Sequence, residues 1–535
     1  MQIEFNDITN FSSLFIDFIN NDERIKQFFP SNYYNYREEL FDLRLNQTKH
    51  FKKFYKQLIN DSARLELTQK QRQNYELIEE SNTLFVITGQ QPGILGGPLY
   101  SLYKAISAIS YCQQYKQNYP QFNFIPVYWV EESDDDVDEV NKYAFIDSSY
   151  EIHNLKLDNI KKRKLSHFDI NNSIDNIIQL IFNSKSEDNE LLETLKKIAE
   201  NNSLLADNFI NSINEFTRDY GLLFVKSSEV YKRKFYNEII IEDLLNPGRI
   251  SSIIEKNNSQ LIENNYLVQA APSDINFFCS RDDRRHKIIF TEDSYNFNAR
   301  NFSKNELVDV IQNSDSIFTP KVLLRPIIQD YLFPTAAYIG GPGEIAYLAQ
   351  LSKLYEHFNL NMPIVEARHS FTIINNFIIR NLDKENIDLI SMIKDFKLIE
   401  SEFVSNLIDN DIENGFTKIE MEIKSLYSEI SPMILEIDKS LTTNIDMSVN
   451  KSIELMLNLK KKVMSQIKKK NDTRFARLSK INKYLYPNNN LQERELNIFN
   501  LVMTNNKKLI INKLLEISTQ KSDHHFVINI DSYSE

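Results

Sequence analysis

The chain has 535 residues, 42% of them hydrophobic and 25% charged, the balance of a globular protein rather than a disordered or fibrous one. At roughly 150 residues per domain there is room for two to four domains. The 62 basic against 74 acidic residues give a formal charge of −12, which repels a phosphate backbone at long range and argues against a general nucleic-acid binder. Two cysteines, Cys112 and Cys279, make no disulfide framework or thiolate metal site.

The opening Met1-Gln2-Ile3-Glu4-Phe5-Asn6-Asp7 lacks the basic head and apolar run of a secretion signal. No stretch approaches the apolar length that crosses a bilayer, so a cytoplasmic protein is expected. The first eighty residues read as helices packed on a core, with Phe11, Leu14, Phe15 and Phe18 at helical spacing. From Leu84 the run Leu-Phe-Val-Ile-Thr suits a buried parallel strand. Phe124–Val130 and Leu222–Val225 are further strand candidates, and the stretches Ile174–Phe182 and Leu191–Ile198 read as helices. This alternation predicts an α/β core over 81–382.

From 383 to 518 helical patterns take over. Ile419, Ile423, Leu426, Ile430, Met433 and Ile437 recur at spacings of four and three, the pattern of a coiled-coil seam. Val449, Ile453, Met456, Val463 and Ile467 supply an antiparallel return arm, and Pro432 is expected to kink or interrupt the first arm. A hairpin used for dimerisation and a bundle packed on the chain's own core both fit the pattern. After the turn at 486–490 one helix is expected to about Ser518, and 519–535 returns to the core through a strand at His525–Ile530.

Three stretches carry candidate chemistry. In Thr88-Gly89-Gln90-Gln91-Pro92-Gly93-Ile94-Leu95-Gly96-Gly97-Pro98, four glycines between a strand and a helix let the backbone approach a ligand, and the helix start offers N–H groups to an anion. The spacing matches neither a Walker loop nor a dinucleotide fingerprint, so a merely tight turn fits equally well. The acids Asp134, Asp135, Asp136, Asp138 and Glu139 follow the strand ending at Val130, at the edge where parallel sheets collect ligands; a solvated acidic loop is the plainer reading.

The third stretch runs from Leu324-Arg325-Pro326 through Gln329-Asp330 to Tyr338-Ile339-Gly340-Gly341-Pro342-Gly343-Glu344. Glu344 is either a helix cap or a ligand-facing acid. Arg325 and Arg368 are either a carboxylate clamp or structural ion pairs. His369, His524 and His525 stand apart from other metal ligands and read as satisfied or exposed, and Cys279 reads as a small buried hydrophobe.

Taken together, T-G-Q-Q-P-G-I-L-G-G-P-L-Y from Thr88, P-V-Y-W-V and its acids from Pro126, and L-R-P-I-I-Q-D-Y-L-F-P-T-A-A-Y-I-G-G-P-G-E-I-A-Y from Leu324 resemble the cysteine ligase family of bacillithiol biosynthesis. Met362-Pro363, Arg368-His369-Ser370 and Leu491-Gln492-Glu493-Arg494 fit as well. The resemblance implies a Rossmann-like nucleotidylyl-transferase core with connecting inserts plus an antiparallel α-helical coiled coil that makes a homodimer. It implies an amide-forming ligase that joins cysteine to glucosaminyl-malate, with ATP as activating cosubstrate through a cysteinyl-adenylate and with room for Mg²⁺, but no structural metal.

The implied pocket takes Asp134, Asp136 and Glu344 as catalytic acids. Its binding residues are Thr88, Gly89, Gln90, Gln91, Gly93, Gly96, Gly97, Trp129, Asp135, Arg325, Gln329, Asp330, Tyr338, Gly340, Gly341, Gly343 and Arg368. Where the family pattern reads Glu-Asp-His-Asp, this chain has Ser133-Asp134-Asp135-Asp136, so any histidine base of that pattern is replaced here. H-I-G-H and K-M-S-K-S synthetase signatures are also missing from the sequence. A reading from another class is a nucleotide-binding scaffold whose coiled coil recruits a separate ligase; a tRNA-dependent enzyme is opposed by the acidic charge.

Overall fold

The computed structural model describes residues 1–8, 11–33, 35–63, 65–134, 140, 142–147, 149–156, 177–179, 189–200, 204–281, 284–291, 293–297, 300–394, 396, 398–399, 402, 410–502 and 507–531. The chain divides into two compact units, Met1–Ile374 with Pro487–Glu535, and Asn375–Tyr486. No described helix is long and apolar enough to cross a membrane.

In chain order, the elements of the first unit that position the site are β1 (Gln2–Glu4), β2 (Thr83–Gln90), α1 (Leu99–Asn118), β3 (Asn123–Val130), β4 (Leu223–Lys226), β5 (Phe277–Arg281), β6 (Arg284–Lys287), β7 (Ile317–Pro320), α2 (Arg325–Leu332), β8 (Thr335–Gly340), α3 (Pro342–Leu348), β9 (Ile364–Ala367), β10 (Ser370–Ile374) and β11 (His524–Asn529). Five of the strands join in the order β9-β8-β2-β3-β4, every pair parallel. Their near-continuous apolar character follows from burial on both faces; all of β8 and all of β2 except Gln90 are buried.

The first of these strands in the chain, β2, lies in the middle of the sheet. The chain moves outward from it to β3 and β4, then returns to lay β8 and β9 on its other side. The order therefore reverses between β2 and β8, and in open parallel sheets ligands gather beyond the carboxyl ends at that reversal. This is a Rossmann-like α/β fold.

The crossover helix α1 packs on β2 and β3 and, on its opposite side, against helices Gln492–Glu495 and Lys507–Ile517. Covered on both sides, it buries Leu99, Leu102, Tyr103, Ala105, Ile106 and Ile109 together with Lys104. The single helix expected up to Ser518 is broken within the described residues at Leu496 and Asn497, between Gln492–Glu495 and Ile498–Val502, and Lys507–Ile517 is helical as expected. Of the helix expected over Ile174–Phe182, only 177–179 lie within the described residues.

The last strand, β11, pairs in parallel with β10 and antiparallel with β1. Beneath this small sheet lies a closed polar network. Arg368 donates two hydrogen bonds to Glu493, at 2.9 and 2.6 Å, and Ser370 Oγ donates to the same carboxylate at 2.9 Å. With its proton so committed, Ser370 accepts from His525 Nδ1 at 2.7 Å, and His525 Nε2 accepts from the Thr372 hydroxyl at 2.8 Å. His369 Nε2 donates to the Gln520 carbonyl at 2.9 Å.

Burial lowers both imidazoles, His369 and His525, to about 4, whereas a histidine in the unfolded chain titrates near 6.5. Between those values the unfolded chain binds more protons, so stability falls as the pH falls from 6.5 towards 4. A shift of one unit is worth about 1.4 kcal/mol per group, so a loss on the order of several kcal/mol is expected in that window. Urea unfolding of the wild type and of His525→Asn at pH 7 and pH 5 checks this, the variant losing the smaller amount; equal losses contradict it.

In the second unit, α4 (Asn410–Ile437) and α5 (Thr442–Lys470) form a helical hairpin closed by a turn at Lys439–Leu441. The expected break at Pro432 does not occur, and α4 runs five residues beyond it to Ile437. Pro432 lies on the exposed side of the helix, where the carbonyl it leaves without an N–H partner is open to water. The better protected positions are Ile423, Tyr427, Ser431 and Ile434 on α4, with Val449, Ile453, Met456 and Val463 on α5, and Tyr427 meets Ser452 at 3.1 Å. Much of the stripe expected to be a seam, Ile419, Leu426, Ile430, Met433 and Ile437, is 45–83% exposed.

Candidate active site

At the carboxyl ends of β2, β3 and β8 a cavity of about 320 Å³ opens, walled by Gly89, Gln90, Gln91, Trp129, Glu131, Asp134, Val322, Arg325, Pro326, Gln329, Tyr338, Glu344 and Tyr347. It sits at the reversal of strand order. Register explains the assembly: Gly89 lies opposite Trp129, and Thr88 opposite Ile339, so the ends of three strands level off together.

Gly89 is needed for this wall. A Cβ there would stand 3.2 Å from the Trp129 carbonyl and 3.5 Å from the Tyr338 hydroxyl, closer to the carbonyl than a side chain ordinarily comes.

Among the described residues, three carboxylates line the cavity. Asp134 accepts from Gln91 Nε2 at 2.8 Å, Arg285 Nη1 at 2.8 Å and Arg325 Nη2 at 2.5 Å. Arg285 comes from β6 and its guanidinium lies 4.0 Å from the centre of the Phe278 ring. Glu131 accepts from Trp129 Nε1 at 3.3 Å, Tyr231 at 2.9 Å, Ser227 at 2.9 Å and the Ser133 amide at 3.1 Å, as well as from the Ser133 hydroxyl. Glu344 accepts from the Tyr338 hydroxyl at 2.6 Å and the Gly341 amide at 2.8 Å, and pairs with Lys104. It is both the cap of α3 and a wall of the cavity.

Lys104 reaches out of α1 to bond the Gly89 carbonyl at 2.7 Å and Gln90 Oε1 at 2.8 Å. With Glu344 it ties the end of β2 to the start of α3. Burial, and secondly the Glu344 charge, push the Tyr338 phenol well above its ordinary value of 10. One buried polar atom of the wall, Gln91 Oε1, makes no hydrogen bond, and Arg325 Nε, also without one, lies 3.9 Å from the Glu131 carboxylate.

The structure thus brings together Gly89, Gln90, Gln91, Trp129, Asp134, Arg325, Gln329, Tyr338 and Glu344 of the residues singled out from the sequence. Asp135 and Asp136 lie outside the described residues. The others do not line the cavity. Thr88 is fully buried and bonds the Ile339 carbonyl at 2.9 Å.

Gly93, Gly96 and Gly97 make a tight turn, the latter two at φ +86° and +67°, with Gly93 pressed so close to Gly97 that a Cβ would stand 2.8 Å from its Cα. Asn497 holds the turn through the carbonyls of Leu95 and Gly97, both at 2.8 Å. Asp330 is buried, bonded by Tyr355 at 2.5 Å and 3.7 Å from Arg44. Arg368 is committed to Glu493, the structural ion pair of its two readings. Gly340, Gly341 and Gly343 shape the entry to α3 without lining the cavity.

Glu131, Lys104, Arg285 and Tyr347 were not singled out from the sequence. Lys104 carries a legible signal, being the one charged residue in the otherwise apolar run Leu99–Cys112.

Residues 1–369 match the family described as Bacillithiol biosynthesis BshC, N-terminal Rossmann-like domain, and residues 371–530 match Bacillithiol biosynthesis BshC, C-terminal coiled-coil domain. Relatives carrying the name "Putative cysteine ligase BshC" include those of Chlorobium phaeobacteroides, 28% identical with 91% of this chain and 92% of the relative covered, and Prosthecochloris aestuarii, 26% identical with 97% of each covered. A third, from Flavobacterium johnsoniae, is 28% identical over 83% of each chain. With both family domains matched in order over nearly its whole length, the chain belongs to the bacillithiol biosynthesis BshC family.

Proposed function

We propose that the protein is a cysteine ligase of bacillithiol biosynthesis that joins the carboxyl group of L-cysteine to the amine of glucosaminyl-malate, with Asp134, Asp136 and Glu344 as its acids. The observation that carries this reading is the cavity at the strand-order reversal. Its wall mixes carboxylates with the Arg325 guanidinium, and the Lys104 ammonium stands behind Glu344, an arrangement suited to a zwitterionic amino acid and a second charged substrate.

Amide formation in water needs an activated acyl group, and ATP is the cosubstrate proposed to supply it, accompanied by Mg²⁺. Gln91 Oε1, which makes no hydrogen bond, fits a polar guest, and Arg325 would meet a phosphoryl or carboxylate group as a planar donor. A strain deleted for the gene is expected to lose bacillithiol and accumulate glucosaminyl-malate. Normal bacillithiol in that strain overturns the reading.

The homodimer belongs to the same proposal. The apolar stripe Ile419, Leu426, Ile430, Met433 and Ile437 is exposed on α4, and a second copy of this hairpin carries the same stripe to cover it. Sedimentation velocity is expected to show a dimer that Leu426→Lys with Met433→Lys converts to monomer. A monomeric wild type at micromolar concentration contradicts it.

A further inference from the structure

The three carboxylates of the cavity differ in what their partners can do with a proton. Asp134 is held by two guanidinium groups and an amide. Guanidinium does not give up its proton in proteins, so protonating Asp134 forfeits two ion pairs with no proton returned. Glu131 receives an indole, serine hydroxyls, a backbone amide and the Tyr231 phenol, but Tyr231 is buried away from the cavity wall.

Glu344 is different. Its side-chain partners are a phenol, Tyr338, and an ammonium, Lys104, both groups that exchange protons. Tyr338 also stands in the cavity wall itself. As an ionised carboxylate Glu344 only accepts, so the single Tyr338 proton points at Glu344 Oε1 across 2.6 Å, and the phenol oxygen, which the Tyr347 hydroxyl also faces, keeps a lone pair for another donor.

We infer that Tyr338 and Glu344 form the proton-accepting relay of the proposed ligation, with Tyr338 the catalytic residue that meets the substrate amine and Lys104 a positioning residue that holds Glu344 in place. The inference rests on the proposed amide-forming reading and assigns its base. When the amine nitrogen bonds to the carbonyl carbon of a cysteinyl group activated as a mixed anhydride with phosphate, the bond from that carbon to the phosphate oxygen breaks and the nitrogen must lose one proton. That proton passes to the Tyr338 oxygen while the proton already on Tyr338 moves to Glu344. Charge and atoms balance: amide, phosphate ester anion and a protonated Glu344, which releases its proton to water as the product leaves.

The groups facing Glu344 are consistent with one mobile proton. Lys104 and Tyr338 touch it, Tyr347 and Tyr128 sense its charge as buried phenols, and Arg368 also senses it but is paired with Glu493.

The test uses full-length protein with cysteine, ATP, Mg²⁺ and glucosaminyl-malate, product being read by mass spectrometry across pH 5.5–9. Positioned acid–base groups contribute about 100- to 10,000-fold, so Tyr338→Phe is expected to lower kcat at least about 100-fold with KM within a few-fold. Glu344→Gln removes the final proton acceptor and is expected to lower kcat by a similar factor, likewise with KM within a few-fold. Lys104→Arg keeps the charge but misplaces Glu344 and is expected to lower kcat by a smaller factor with KM little changed.

Circular dichroism establishes folding of each variant, and if Tyr338→Phe does not fold, the Glu344→Gln kinetics decide. A folded Tyr338→Phe or Glu344→Gln within threefold of wild-type kcat overturns the relay and leaves the ligase reading standing. Absence of product from the wild type instead overturns that reading.

Discussion

Replacing Glu493 with alanine is expected to destabilise the first unit by about 3–5 kcal/mol, the usual consequence of leaving one member of a buried ion pair without its partner. Glu493 is fully buried. Burial works against its charge, yet the Arg368 guanidinium and the hydrogen bonds from Arg368 and Ser370 outweigh that and hold the carboxyl below its ordinary range. Its removal strands the Arg368 guanidinium, the Ser370 hydroxyl and the Phe371 amide together.

The double variant Arg368→Met with Glu493→Leu removes both charges and is expected to recover a large part of the loss. By contrast, Glu516→Ala breaks an exposed pair with Lys513 at 2.9 Å and is expected to change stability by less than about 0.5 kcal/mol. Urea unfolding of the three proteins checks the ranking. A Glu493→Ala protein within about 1 kcal/mol of wild type contradicts it.

Asp134→Asn is expected to lower kcat/KM by about 100-fold or more while leaving the fold intact. Asp134 is the point on which Gln91, Arg285 and Arg325 converge, three side chains drawn from the loop after β2, from β6 and from α2. An asparagine keeps one acceptor but removes the charge, and its amide nitrogen faces donors it cannot satisfy. The Arg325 and Gln91 side chains then lose their fixed positions, and a misplacement of about 1 Å in a positioning group costs on the order of 100-fold.

Because these groups bind rather than relay a proton, the loss is expected mainly in KM, with the pH profile retained. This separates Asp134 from Tyr338 in steady-state kinetics. An Asp134→Asn enzyme with unchanged KM contradicts the anchoring role.

Much of the architecture was legible because it follows from periodicity. Continuous apolar runs such as Leu84–Thr88 and Phe124–Val130 mark parallel strands buried on both faces, and both lie in the central sheet. The change to helical spacing after 383 marks the second unit's hairpin. What periodicity does not reveal is which face of an exposed helix is protected. Of the regularly spaced stripe on α4 only Ile423 is protected, and the arm is protected along Ile423, Tyr427, Ser431 and Ile434. Nor does a proline on an exposed helix face end the helix, since water takes the freed carbonyl.

The site was legible in part for the same kind of reason. Glycine and acid positions at strand ends point to a ligand edge, and Gly89, Gln91, Asp134 and Glu344 meet there. Spacing cannot separate a glycine that bares backbone to a ligand from one that makes a tight turn, and Gly93, Gly96 and Gly97 prove to be the latter. The ties of Arg368 and Asp330 are not legible locally, because their partners Glu493 and Arg44 lie 125 and 286 residues away in sequence. Arg285 converges on the site through a tertiary contact that no local motif encodes.

Incubating the purified wild-type protein with L-cysteine, glucosaminyl-malate, ATP and Mg²⁺, and measuring the product by mass spectrometry, tests most directly whether the cavity at the strand-order reversal is a ligase centre. The expected result is bacillithiol formation that depends on ATP and is lost in Glu344→Gln. A folded protein that binds nucleotide yet forms no product, or product formation undiminished by that substitution, would contradict it.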